Sequence, residues 1–549
     1  MNLTRRSLLA APALALSQQT GRRRHPPNVL LIITDDQGYG DLSLHGNTHL
    51  KTPNLDSIGR EGVQFTQFQV CPVCSPTRSS LMTGRYNYRT GVVDTFLGRS
   101  MMHADEVTMP EIFAKAGYRT GIFGKWHLGD NYPMRSIDQG FQESLVCNGG
   151  GVGQPSDPPG TSYFDPILQH NGKAKHYEGY CTDIFADAAM AYIERNRRDP
   201  WFAYLSTNAP HTPLTVREEW AKPYLDAGLD ETTAKVYAMV ANVDANVGRV
   251  LAKLRTLDLE RDTIVVYLTD NGPQQRRYNS GMRGLKGTVY QGGIRVPCFL
   301  RWPGQVRAGS NVDRIAAHID LLPTLAEACG VKLTDGPTRD GRSLMPLVRG
   351  ETGAWRDRTL FTQWHRGDEP ELFRACAART QRYKLVDGRE LYDLQADPAE
   401  AHDISKERPE VAAELRGQTE AWFRDVSSSR GYAPPRIHLG TRHENPTILT
   451  RQDWRGPRAS WDDKGLGYWE VDVRAAGRYR IGLRMAPAPG DGEARVSIGE
   501  AAARRTIKKG ATGCDLGEVT LASGPARVEP AIDVHGQIRG VHYVDVQKL

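Results

Sequence analysis

Four short apolar runs, each ending in polar residues able to do chemistry, constrain this chain more than any other feature. Asn28-Val29-Leu30-Leu31-Ile32-Ile33 ends in Thr34-Asp35-Asp36, and Thr120-Gly121-Ile122-Phe123 ends in Gly124-Lys125-Trp126-His127. Trp201-Phe202-Ala203-Tyr204-Leu205 leads to Asn208-Ala209-Pro210-His211, and Thr263-Ile264-Val265-Val266-Tyr267-Leu268 ends in Thr269-Asp270-Asn271. Between them lie amphipathic stretches such as residues 236–254. Unbroken apolar strands alternating with helices specify an α/β fold, a large mixed but mostly parallel sheet between helices, here over residues 28–335. Ligands bind beyond the carboxyl ends of the strands in such sheets. If the four strands are parallel and adjacent, their polar ends meet at one site. Unrelated strand-end turns would instead collect Gly, Asn and Ser.

The chain has 549 residues, more than one ordinary core can use. Residues 336–435 read as a smaller α+β subdomain, with strands at 382–386 and 390–394 around an Asp387-Gly388 turn and a helix at 407–424. Beyond Pro434-Pro435, period-two alternation at 468–473, 478–483, 494–498 and 541–546 predicts a terminal β-sandwich over 436–549. Its Trp454, Trp461, Tyr468 and Trp469 could stack on sugars or fill the core, and the core reading is preferred.

At the other end, Arg5-Arg6 precedes an apolar run through Leu16, and Ala15-Leu16-Ser17 offers a cleavage site. Residues 1–17 therefore read as a twin-arginine export signal and 18–27 as a linker, which implies a periplasmic or extracellular protein. No later apolar run is long enough to span a bilayer, so no membrane anchor is expected. The net charge of +6 is mild and suits an anionic substrate. No basic run interleaved with aromatics points to nucleic acid. Oligomeric state is not legible.

Eight cysteines are too sparse for a disulfide framework. Cys147, Cys181, Cys298, Cys329, Cys376 and Cys514 read as core residues with a bridge or two at most. Cys71 and Cys74 form a CxxC pair, but neither a thioredoxin-like unit nor a second pair of zinc ligands accompanies it. The glycine-rich stretch 148–159 lacks the preceding strand and Lys-Ser/Thr ending of a phosphate cradle, and reads as a loop bordering the site.

Cys74-Ser75-Pro76-Thr77-Arg78, continuing as Ser79-Ser80-Leu81-Met82-Thr83-Gly84-Arg85, resembles the signature of the type I sulfatases of the alkaline phosphatase superfamily. In that family the cysteine is oxidised to formylglycine. The resemblance extends over residues 28–425 and assigns roles to the strand-end residues. Asp35, Asp36, Asp270, Asn271 and the oxidised Cys74 would hold calcium. Read from the residues alone, Asp35-Asp36 and Asp270-Asn271 supply hard oxygen ligands suited to calcium or magnesium, although Asp35-Asp36 by itself is equally a helix cap.

Further matching segments imply that Lys125 and Lys286 bind sulfate, His127 takes the proton of the formylglycine hydrate, His211 donates to the leaving group and Arg78 positions residue 74. The chemistry explains the need for an aldehyde: an ordinary hydroxyl would form a sulfate ester as stubborn as the substrate, whereas a hydrate can expel sulfate. Trp364, His365 and Arg366 are candidate contacts for a sulfated sugar or glycan, with an ordinary strand and turn as the competing reading. A formylglycine-generating enzyme is the implied maturation partner, acting in the cytoplasm because twin-arginine export carries folded protein. Two other readings stand beside the sulfatase: a phosphonate monoester or phosphodiester hydrolase, and an inert sulfatase domain whose sandwich binds carbohydrate.

Overall fold

The four apolar runs are strands, and they are neighbours. The computed structural model describes residues 26–333, 336–351, 353 and 355–549. The Arg5-Arg6 signal and most of the 18–27 linker lie outside the described residues. The runs become Asn28–Thr34, Arg119–Lys125, Trp201–Ser206 and Thr263–Thr269. Across the sheet the order is Thr263–Thr269, Asn28–Thr34, Trp201–Ser206, Arg119–Lys125, parallel throughout, so the four carboxyl ends share one edge. Glu143–Cys147 adds a fifth parallel strand. The ten-stranded sheet turns antiparallel at its margins, where Cys298–Arg301 pairs with Thr263–Thr269 and Ile167–His170 pairs with Lys173–His176.

Unbroken hydrophobicity along these strands follows from burial on both faces. Val29, Leu31, Ile33, Val266 and Leu268 share one core with side chains of the helices Cys74–Thr83, Met109–Lys115 and Leu321–Cys329. The alternate residues Leu30, Ile32, Val265 and Tyr267 share another with Cys181–Arg195 and Glu231–Thr256. That last helix starts before the amphipathic stretch at 236 because the Asp230 carboxylate caps the Thr233 amide at 3.0 Å.

Leu360–Gln363, Cys376–Arg379, Tyr383–Val386 and Glu390–Asp393 form an antiparallel four-stranded sheet. Asp387 and Gly388 turn its last hairpin with φ of 51° and 65°, the double positive φ of a tight hairpin turn. The helix behind it runs Pro409–Ser428, starting at 409 rather than 407 because Pro409 suits a first helical position.

The C-terminal strands make two facing sheets. One contains Leu466–Val473, Gly524–Val534 and Gly492–Ile498, the other Tyr543–Lys548, Gly477–Arg484 and Gly513–Leu521. Trp469, Val471, Val528 and Ile532 of the first meet Leu449, Tyr479, Ile481 and Val544 of the second in one core. Trp454 and Trp469 are fully buried there, 5.7 Å apart between ring centroids. Leu97, Met101 and Met134 of the α/β region enter the same core, so the sandwich is packed directly onto loops of the ten-stranded sheet. Among the described residues Cys71, Cys74, Cys147, Cys181, Cys298, Cys376 and Cys514 form no disulfide, so the expected bridge or two does not join them; all but the half-buried Cys514 are buried. Among the described residues, no helix is long and apolar enough to cross a membrane.

Candidate active site

Asp35 and Asp36 follow the first strand, and Asp270 and Asn271 follow its neighbour. The two ends are tied together: the Asp270 amide donates to the Thr34 carbonyl at 3.1 Å, the Asp36 amide to Asp270 Oδ1 at 3.3 Å and Asn271 Nδ2 to Asp36 Oδ1 at 2.8 Å. Asp36 has φ 63°, a left-handed conformation that aspartate tolerates better than most residues. His127, two residues beyond its strand, has φ 60°, a left-handed conformation that histidine, like aspartate, adopts more readily than most residues.

Cys74 occupies the first position of the fully buried helix Cys74–Thr83, so the positive end of that helix lies at the site. Pro76 is tolerated because it sits within the first turn, and Gly84 ends the helix with φ 69°. Arg78 lies one turn on from Cys74 and on the same face. Its Nε and Nη2 donate to Asp270 Oδ2 at 3.1 and 2.8 Å, and its Nη1 donates to Ser206 Oγ at 2.5 Å and to the Lys125 carbonyl at 3.1 Å. One buried guanidinium thus links the helix to three strand ends.

The charges interleave. Cys74 Sγ lies 3.5 Å from Asp35 Oδ1, and Lys125 Nζ lies 2.5 Å from Asp35 Oδ2. Lys286 Nζ lies 2.5 Å from Asp36 Oδ1, and His211 Nε2 lies 3.8 Å from Asp36 Oδ2. Asp35, Asp36, Cys74 and His211 each offer a ligand atom within 4.8 Å of the others. Asp36 Oδ2 and Asn271 Oδ1 are buried without a hydrogen-bond partner among the described residues. Buried orphan oxygens within a carboxylate and amide set fit a hard divalent cation.

Burial works against every charge here, and neighbours decide the outcome. Burial would raise the Asp36 carboxyl, but Lys286 and then His211 hold it well below the usual range. Burial and then Asp35 lift Asp270 to about 6 despite Arg78, and the same two causes lift the Cys74 thiol to about 12. Burial opposes the charge on Lys125 and Lys286, yet Asp35 and Asp36 respectively outweigh it and raise both. Burial followed by Lys125 holds His127 far below its ordinary value, and burial followed by Lys286 brings His211 down to about 3. At neutral pH the site therefore presents charged lysines beside neutral imidazoles.

The structure gathers Asp35, Asp36, Cys74, Arg78, Lys125, His127, His211, Asp270, Asn271 and Lys286 around one centre. Cys74, His127, His211 and Lys286 open onto a cavity of about 460 Å³ whose wall includes Trp364 and Arg366. Trp364 Nε1 and Arg366 Nη1 both donate to Asp94 Oδ1, at 3.0 and 2.8 Å, and the Arg366 guanidinium lies 4.4 Å from the Phe96 ring centroid. The structure does not bring His365 into that wall. Its Nδ1 is engaged by the Arg366 carbonyl at 2.9 Å and its Nε2 accepts from the Glu371 amide at 2.8 Å, so the buried ring braces the turn.

Several residues escaped the sequence. Asp94 and Phe96 carried no signal, and neither did Thr95, whose carbonyl accepts from His127 Nε2 at 2.7 Å. Because a carbonyl only accepts, Nε2 carries the proton and Nδ1, buried and without a hydrogen-bond partner among the described residues, keeps its lone pair. The glycine-rich loop did carry a signal, and its reason is steric. A Cβ at Gly150 would come within 2.7 Å of the His127 ring, and one at Gly151 within 2.9 Å of His211 Nδ1. The loop is bare so that it can lie against both imidazoles.

The sulfatase family model matches residues 27–331, and that for the C-terminal region of N-sulphoglucosamine sulphohydrolase matches residues 285–423. Arylsulfatase A of Homo sapiens is 33% identical over 437 residues, covering 72% of this chain and 81% of its own. N-acetylgalactosamine-6-sulfatase of Homo sapiens is 31% identical over 375 residues, covering 62% of this chain and 69% of its own. The solved structure of Ps i-CgsB is 27% identical with a TM-score of 0.68, covering 74% of this chain and 95% of that one. Family match, relatives and fold agree with the geometry of the strand-end site: the chain belongs to the sulfatase family and is a sulfuric ester hydrolase.

Proposed function

We propose that this sulfatase hydrolyses a sulfate ester of a carbohydrate, with Cys74 oxidised to formylglycine. Asp35, Asp36, Asp270, Asn271 and residue 74 would hold a divalent cation, calcium with magnesium as the alternative. The supporting observation is the arrangement at Cys74, with Sγ 3.5 Å from Asp35 Oδ1 in a cluster that also offers Asp36 and His211 ligand atoms and two orphan oxygens. A thiol raised to about 12 is protonated at neutral pH, whereas reactive thiols are lowered, so unmodified Cys74 makes a poor nucleophile. The oxidised residue supplies a hydrate, one hydroxyl for attack on sulfur and a second whose deprotonation re-forms the carbonyl and expels sulfate from the first. The bound cation would acidify the attacking hydroxyl and polarise a sulfuryl oxygen.

The chain's own groups divide the remaining work. Lys125 and Lys286 neutralise sulfuryl oxygens in a site shielded from water. His127, with Nε2–H fixed on Thr95, offers Nδ1 as the base that takes the second hydroxyl's proton. His211 has Nδ1 engaged by the Thr212 carbonyl at 2.6 Å, which leaves Nε2 facing the site to carry the proton for the departing alkoxide. An anionic substrate beside it favours the protonation that His211 lacks in the free protein. Arg78 positions residue 74 indirectly, by bracing Asp270 and the helix start.

Carbohydrate is favoured over a simple aryl ester by the Trp364 and Arg366 wall, and by relatives such as N-acetylgalactosamine-6-sulfatase and Ps i-CgsB, the latter solved in complex with k-i-k-neocarrahexaose. Peptide mass spectrometry across Cys74, on protein co-expressed with a formylglycine-generating enzyme, should show the aldehyde or its hydrate. Unmodified cysteine there would sink the mechanism. Turnover of matched sulfate, phosphodiester and phosphonate esters should favour sulfate; a phosphoester preference would make the chain a phosphonate monoester or phosphodiester hydrolase instead. The proposal also includes export of the folded, already oxidised protein through Arg5-Arg6. Replacing both arginines with lysine should retain the protein in the cytoplasm, and undiminished export would end that reading.

A further inference from the structure

The family matches end at residue 423, yet the cavity containing Cys74 is completed by a side chain from beyond that point. Trp461 belongs to the loop between the sandwich strands Arg455–Arg458 and Leu466–Val473 and forms part of the cavity wall. Its ring meets Phe96 edge-on with centroids 5.1 Å apart. The loop is pinned: Arg451, a nearly buried side chain, donates from Nη1 to the Trp461 carbonyl at 2.7 Å and from Nε to the Val541 carbonyl at 3.0 Å. The same sandwich reaches the catalytic base indirectly, since Gln452 Nε2 donates at 3.0 Å to the Thr95 carbonyl that orients His127.

A second cavity of about 220 Å³ adjoins the first, and Trp461 and Gln154 line both. Its sandwich side carries Arg451, Asp463 and His542, with His542 Nε2 2.8 Å from Asp463 Oδ1. Trp461 Nε1 and Gln154 Oε1 are buried and without a hydrogen-bond partner among the described residues, one an obligate donor and the other an acceptor. A buried polar atom left unpaired costs free energy that a ligand hydroxyl can recover. An aromatic face with a donor and an acceptor beside it matches the amphipathic surface of a pyranose ring.

We propose that the C-terminal sandwich is part of the substrate site, and that Trp461 and Gln154 mark the boundary between the sulfate-bearing sugar and a subsite for the next sugar of a sulfated oligosaccharide. This rests on the carbohydrate reading above and extends it to chain length. The native substrate is then an oligosaccharide rather than a sulfated monosaccharide.

The test compares kcat/KM for 4-nitrophenyl sulfate with that for sulfated galactan and glycosaminoglycan oligosaccharides fractionated by length, using the full, formylglycine-bearing chain. In the native protein kcat/KM should rise about tenfold from monosaccharide to disaccharide or longer. In Trp461→Ala the ratio of oligosaccharide to aryl-sulfate kcat/KM should fall by about the same factor, mostly through KM, and Trp461→Phe should restore most of it. Asp463→Ala, an exposed change that removes a carboxylate 3.6 Å from Arg451 Nη1 but leaves Arg451's bonds to the Trp461 and Val541 carbonyls, should lower the ratio in the same direction. No chain-length preference in the native protein, or an unchanged ratio in the Trp461 and Asp463 variants, would overturn the proposal. Hydrolysis of the aryl ester with none of the sulfated sugars would overturn the carbohydrate reading itself. A preference for sulfated monosaccharides would overturn only the subsite.

Discussion

At one end of the cavity Asp35, Asp36, Asp270 and Asn271 are at most 1% exposed and hang from adjacent parallel strands. At the other, Phe96, Trp364, Arg366 and Trp461 are half-buried or exposed and come from loops of three separate parts of the chain. The first set is tied by the sheet's own register, so its atoms keep fixed separations and can stabilise charge as it develops. The second is tied by side-chain contacts such as Asp94 with Trp364 and Arg366, and can change without disturbing the sheet. The contrast separates chemistry from recognition. Changes at the buried end should slow every ester, and changes at the rim should discriminate among substrates.

The comparison breaks most visibly at Cys74. Cys74→Ala should abolish turnover of every sulfate ester, by on the order of 10⁴-fold or more, while the circular dichroism spectrum stays native. Appreciable activity in that variant would remove the residue from the mechanism. Chelation should come next: the purified protein should contain a bound divalent cation by elemental analysis, and its removal should silence all substrates until calcium is restored. Recovery with zinc but not calcium would contradict the oxygen-only ligand set.

His211→Ala should lower kcat by about 10²- to 10⁴-fold for a sugar alkoxide leaving group, and much less for 4-nitrophenolate, which departs without a proton. Equal losses on both would mean that His211 is not the leaving-group acid. Gly151→Ala belongs in the same region but acts sterically. A Cβ within 2.9 Å of His211 Nδ1 must displace the ring or the loop, so kcat should fall by about 10- to 100-fold with the melting temperature little changed.

The buried end was legible in the sequence for the same reason that it is rigid. Apolar strands announce themselves by composition, and the residue after a strand has its position set by the sheet, so Asp35, His127, His211 and Asp270 could be placed together before any coordinates. Their protonation could not be read, because the fall of His211 to about 3 depends on burial and on Lys286, which is 75 positions distant in sequence. The rim was mostly illegible. Nothing in Asp94 or Phe96 distinguishes them from surface residues, and Trp461 looked no different from Trp454, which the structure buries completely. His365 shows the limit from the other direction: its neighbours on both sides face the cavity wall, and it turns inward to hold the backbone. Loop residues are positioned by long-range contacts that a single sequence does not display.

The smallest expected effect falls on Arg366, which sharpens the division between the two ends. Its side chain is 55% exposed, so its ion pair with buried Asp94 contributes little to stability, and Arg366→Ala should shift the unfolding free energy by no more than about 0.5 kcal/mol. Asp94 keeps other donors, Trp364 Nε1 at 3.0 Å and the Thr95 amide at 2.8 Å, so the loop that orients His127 should hold its place. What is lost is a cation at the cavity mouth, 4.4 Å from the Phe96 ring centroid. KM should therefore rise by about three- to tenfold for substrates carrying a second anionic group, a loss of roughly 1 kcal/mol. It should move less for a singly sulfated sugar and least for 4-nitrophenyl sulfate. A matched fall in kcat on all three would place Arg366 with the strand-end groups and erase the boundary, because a disturbed buried end slows every ester alike.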